Sequence, residues 1–195
     1  MNDEVPRPNV RRVTRMSAIL MFLSATSWQV VAQTQPGAEA AVLEYAEATK
    51  SYDTRQMSGH MHPEALKRFR ATIDAALQGP KKDLAAKELL PLFSVATAPE
   101  FDQLTDVEAY KRLNDTIARS APKLVEMMAG ATSKVVGSFL KDDLAYVTYD
   151  LEMTVDGKAI KSQVVQKLKL HDGKWRLMLP STAEASLAGI ETRFK

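Results

Sequence analysis

The chain has 195 residues, 45% hydrophobic and 26% charged, which suits one globular domain preceded by a targeting segment. It has no cysteine, which excludes disulfides, thiolate metal sites, iron–sulfur clusters, a cysteine nucleophile and a lipid-anchored cysteine. The formal charge is +2, but Arg7, Arg11, Arg12 and Arg15 fall within residues 1–32; the body beyond is balanced and offers nucleic acid no electrostatic footprint.

Residues 1–32 read as a secretory signal peptide. Arg11, Arg12 and Arg15 form its positive region, Met16–Ala25 its apolar stretch, and Val30-Val31-Ala32 a small-residue cleavage site before Gln33. Uncharged sequence from Met16 to Ala38 is long enough to span a bilayer. Ser24, Thr26, Ser27 and Gln29 dilute it, which favours cleavage over a retained anchor. The expected location is therefore periplasmic or secreted, with membrane contact only through an uncleaved signal. Met16 is an alternative start of translation.

Residues 33–37 form a polar linker and 38–195 the folded domain. Val42, Tyr45, Thr49 and Tyr52 recur at helical spacing, so a helix is expected over Ala38–Tyr52. A break follows at Asp53–His62. Pro63 suits a first helical position, and Leu66, Phe69, Ile73 and Leu77 form the stripe of a second helix that Gly79-Pro80 stops. Lys81–Leu90 reads as a third helix and Phe93–Phe101 as irregular; Leu89–Phe101 would suit a mobile lid. Thr105–Glu108 has the capping-box pattern and opens a helix carrying Val107, Tyr110, Leu113 and Ile117. Pro122–Ala129 is a further helix, with Gly130 expected in the left-handed cap position. Ser181–Glu184 repeats the capping pattern before a short helix over Thr182–Ala188.

Between these last two helices lie four expected strands: Val135–Leu140, Leu144–Met153, Ala159–Leu170 and Trp175–Leu179. Ala145, Val147, Tyr149, Leu151 and Met153 alternate with Tyr146, Thr148, Asp150 and Glu152. In the third strand, Ile160, Ser162, Val164, Gln166, Leu168 and Leu170 share one face. Lys161, Gln163, Val165, Lys167 and Lys169 share the other. Asp156-Gly157 and Asp172-Gly173 supply tight hairpin turns, and Lys141-Asp142-Asp143 makes the first reversal. An antiparallel meander with one greasy face needs a cover, so the fold class is α+β, with the N-terminal helices packed on one face of a curved sheet.

Two stretches carry a family resemblance. Val42–Asp53, followed by Met57 and Met61–Ala65, looks like the first helix, break and second helix of the NTF2-like superfamily, which includes the SnoaL-like domains. Val135–Leu179, with its Gly-Lys-Trp-Arg-Leu ending at Gly173–Leu177, resembles that family's long curved sheet. Lys81–Ala129 departs from the pattern, in which a strand or hairpin often precedes the third helix. The resemblance implies a cone with a cavity between sheet and helices. It also implies a family that spans isomerases, dehydratases, hydrolases and non-enzymatic binding domains, so fold alone selects no function.

Several residues are candidates for chemistry. His60 and His62 stand two apart and could begin a metal site, but no third ligand is near in sequence and His171 lies in a distant turn; no metal and no cofactor is expected. An enzyme of this resemblance needs an acid or base in its cavity. The greasy strand faces carry none, which leaves Glu44, Asp74, Asp102 or Asp115 on helices. Tyr149, Ser162 and Gln166 are the polar members of those faces and the candidate ligand-binding residues of a neutral pocket. Met57, Met61, Met127 and Met128 suit core packing at helical spacing. No nucleophile elbow or dinucleotide fingerprint occurs.

The reading that follows is an exported, non-catalytic domain that binds a small neutral or apolar ligand or a protein partner. It could form a homodimer through the wet sheet face of Tyr146, Thr148, Val165 and Lys167. The alternative is a cofactor-free isomerase, dehydratase or hydrolase with its acid or base on a helix.

Overall fold

A computed structural model describes residues 35–195, which belong to one compact unit. The expected signal peptide and the first part of the linker lie outside the described residues. Helix α1 (Pro36–Lys50) begins two residues before the expected Ala38, because Pro36 needs no backbone partner in a first turn. Its buried side, Ala38, Ala41, Val42 and Ala48, is mostly small, and it packs against three of the four strands. The Gln35 N–H donates to Ser138 Oγ at 2.8 Å and so ties the start of α1 to the first strand.

The expected break at Asp53–His62 contains a helix, α2 (Thr54–His60). Asp53 caps it by accepting from the N–H groups of Arg55 and Gln56. Helix α3 (Pro63–Gln78) buries Leu66, Phe69, Ile73 and Leu77, the anticipated stripe. Then come α4 (Lys82–Leu89), a 3₁₀ turn (Leu90–Phe93) and α5 (Ala98–Asp102), a helix where irregular chain was expected. The stretch Leu89–Phe101 is not lid-like. Leu89, Leu90, Phe93 and Phe101 lie in the core, and Phe93 sits 6.0 Å from Phe69 and 4.7 Å from Phe101, ring to ring.

Thr105 caps α6 (Asp106–Ser120) by accepting the Glu108 N–H at 3.1 Å. The Glu108 carboxylate turns instead to Arg112, at 3.0 Å. Helix α7 (Pro122–Ala129) ends at Gly130 with φ −89 and ψ 0, a right-handed conformation, so the expected left-handed cap does not form. The last helix, α8 (Ser181–Phe194), is twice the expected length. Pro180 is its cap residue and Ser181 its first member, so no capping box forms. Leu187, Ile190 and Phe194 prolong it by packing towards α3 and α4, and Arg193 pairs with Glu88 at 2.5 Å.

The sheet is an antiparallel meander in the order β1-β2-β3-β4: Thr132–Lys141, Leu144–Val155, Lys158–His171 and Lys174–Leu177. Asp156 and Gly157, like Asp172 and Gly173, have positive φ at both turn positions, as a two-residue hairpin requires. A register shift between Val135 and Gly137 bends β1 and curves the sheet. Ala145, Val147, Leu168 and Leu177 meet Val42, Leu66, Phe69 and Ile73 in one core, so the α+β class holds. The β2–β3 hairpin outruns the helical cover. Ile160, on the greasy face, is therefore 43% exposed, and Ser162 beside it is exposed too. None of the described helices is long and apolar enough to cross a membrane.

Candidate functional site

Tyr149, Ser162 and Gln166 share a sheet face but do not meet in one pocket. Tyr149 pairs with Val164, Ser162 with Leu151 and Gln166 with Val147, so they step along the hairpin from its wet end to its core. Gln166 is 4% exposed, and its Nε2 donates to the carbonyls of Lys167 and Met178 at 2.9 and 2.8 Å. Burial raises the Tyr149 pKa. Burial, and next the neighbouring Tyr110 phenol, raises that of Tyr45 well above the ordinary tyrosine value. The phenols of Tyr45, Tyr110 and Tyr149, from α1, α6 and β2, thus pack against the core in neutral form.

The histidines have separate duties. His62 Nδ1 accepts the Glu64 N–H at 3.1 Å and caps α3, while its ring meets that of His171 edge-on at 5.3 Å. Among the described residues no group of three His, Asp or Glu side chains is placed to hold a metal ion. Burial lowers the His62 pKa below its ordinary 6.5; Glu64 opposes this, and His171 and Lys169 add to it. The folded state therefore resists a proton that the unfolded chain accepts. The stabilisation is complete above about pH 6.5 and is lost as pH falls towards the folded-state value. A urea titration series between neutral and mildly acid pH should show this decline. His62→Asn, which keeps a capping acceptor, should flatten but not abolish it, because burial lowers the His60 pKa as well. An unchanged slope in that variant would remove His62 from the account.

Of the four helix acids, Asp74 pairs with Arg70 at 3.1 Å and Asp115 with Lys111 at 2.8 Å, and Asp102 is exposed. Glu44 is different: it lines a cleft of about 530 Å³ at the β4 edge of the sheet. Helix α1 contributes Gly37, Ala40, Ala41 and Glu44; α2 contributes Gln56, Gly59 and His60; the last turn and β4 contribute Gly173 to Arg176. Gly37 lets α1 pass the Trp175 indole, since a Cβ there would come within 3.2 Å of the ring.

Arg176 defines the cleft. Its Nη1 donates to the Gly59 carbonyl, and its Nε is buried with no hydrogen-bond partner. Among the described residues, neither Arg176 nor Lys174 is in an ion pair. His60 stands beside them, its ring edge-on to Tyr45 at 6.4 Å. Burial lowers its pKa, Glu44 opposes the shift and Arg176 adds to it, so the imidazole is neutral at pH 7. A second depression of about 480 Å³ lies across Arg176 and includes Asp106, His171 and Asp172.

Reading the residues in order picks out Glu44 and His60 but not Lys174, Trp175 and Arg176. Alternation sends Arg176 to the wet face with Lys169, its partner across β3–β4. The parallel bridge between Met61 and Leu177, with the His62 N–H to Leu177 carbonyl bond, sets the end of α2 alongside β4, and no local pattern announces it. No family model, curated protein or solved structure matches the chain.

Proposed function

We propose that this chain is an exported, non-catalytic binding domain of NTF2-like kind. Its ligand is a small molecule with an anionic group, held in the Trp175 cleft rather than under the sheet. The observation that carries this reading is the pair of cationic side chains, Lys174 and Arg176, in a cleft of ligand size, neither of them in an ion pair among the described residues. The remaining guanidinium N–H groups of Arg176 and the Lys174 ammonium can donate to a carboxylate or similar group there. Trp175, Ala40 and Ala41 give the rest of such a ligand an apolar wall. Export rests on the arginine-led segment before Gln33.

The test is titration of 3-phenylpropanoate, with the Trp175 indole N–H resonance as readout. Arg176→Met is expected to weaken binding about tenfold, the scale of one charge-assisted hydrogen bond. The Lys174 side chain is exposed and makes no hydrogen bond or ion pair among the described residues, so Lys174→Ala should weaken it by less. No response at millimolar ligand, or equal affinity in both variants and the parent, overturns the reading. A second reading, an acid–base enzyme without cofactor, draws on neutral His60 beside Glu44. Recovery of the bound compound unchanged after long incubation counts against it.

A further inference from the structure

The cleft has two walls of opposite sign. Glu44 projects from α1, and Lys174 and Arg176 from β4, into the same volume. No ion pair joins them: none of the three is within pairing distance of a group of opposite charge among the described residues. The Trp175 indole lies between them in the lining, beside Gly37 of α1, where a Cβ would come within 3.2 Å of the ring. We infer that the ligand is a small zwitterion, an amino acid or similar ammonium carboxylate, which bridges the two walls.

The carboxylate lies on Arg176, with Lys174 outside it. The ammonium group lies on the α1 side against Glu44, within reach of the indole face, the aromatic surface that best attracts an ammonium ion. Neutral His60 and Gln56 occupy the remaining polar wall and present hydrogen-bonding groups without adding a charge. A plain anion would meet Glu44 as a repulsive neighbour, so the site selects against it as well as for the zwitterion. This inference rests on the cleft being a ligand site, as proposed above, and adds a role for Glu44.

Three compounds separate the two claims: L-phenylalanine, 3-phenylpropanoate, which lacks its amine, and 2-phenylethylamine, which lacks its carboxylate. Calorimetry on the exported protein should rank phenylalanine first and the amine last. Glu44→Gln should weaken phenylalanine about tenfold while leaving 3-phenylpropanoate unchanged or tighter. Glu44 makes no side-chain hydrogen bond or ion pair among the described residues, so the variant should keep the parent's unfolding midpoint. If 3-phenylpropanoate binds as tightly as phenylalanine, or Glu44→Gln weakens both alike, the zwitterion is wrong and the anion site survives. If neither compound binds, both claims fall.

Discussion

Phe101→Ala is expected to destabilise the domain by about 3–5 kcal/mol, the range for emptying a buried aromatic site. Phe101 is 0% exposed. Its ring packs 4.7 Å from that of Phe93, and the Arg70 guanidinium lies 4.3 Å above it. Helix α5 spans five residues, too few to persist on propensity, so this side chain is what holds it down. Losing it would free the connection from the 3₁₀ turn to the start of α6, with few neighbouring atoms able to collapse into the gap. Urea unfolding should show the midpoint fall with little change in slope. Phe101→Leu, which keeps most of the volume, should cost far less. A loss under about 1 kcal/mol for the alanine variant would mean that the site collapses readily.

Arg70→Met should cost about 2–4 kcal/mol, for a different reason. The Arg70 side chain is 11% exposed, so solvent does little to replace what it loses. It donates to the carbonyls of Phe101 and Leu104 at 3.0 and 2.5 Å and pairs with Asp74. Methionine keeps the stem's packing but leaves two carbonyls and a carboxylate short of donors. Lysine should not rescue it, because one ammonium cannot reproduce a planar fork. Arg70 and Phe101 touch, so their costs should not add. A double-mutant cycle is expected to return a coupling of about 0.5–3 kcal/mol. Additive losses would show that the guanidinium contributes nothing through the ring.

These residues also mark where reading the sequence runs out. The meander was legible because alternation along β2 and β3 and the Asp-Gly turns are local signals, and the Pro63 and Thr105 helix starts are local too. Helices α2 and α5 are shorter than two periods of an apolar stripe, so their capping residues, Asp53 and Thr97, were the available clues. Alternation assigned Ser162 to the correct face. It carried no information on how far the helices extend over that face, and the hairpin outruns them. The cleft was the least legible part. It joins Gly37 to Trp175 and Gly59 to Arg176, contacts between residues more than a hundred positions apart.

The Met61–Leu177 bridge has one more consequence. A short exposed border strand such as β4 offers unpaired amides to any passing chain, and the bridge together with the His62 N–H to Leu177 carbonyl bond of 2.8 Å occupies that border. At the opposite border the bulge near Val135 disrupts the template, and Lys134 and Lys141 add charge. With both rims blunted, growth of the sheet by lateral stacking into fibres is disfavoured. The outer surface, where the Phe139 and Tyr146 rings stack 5.0 Å apart, and the tip of the β2–β3 hairpin, where Ile160 is exposed, are then the parts of the sheet without such protection.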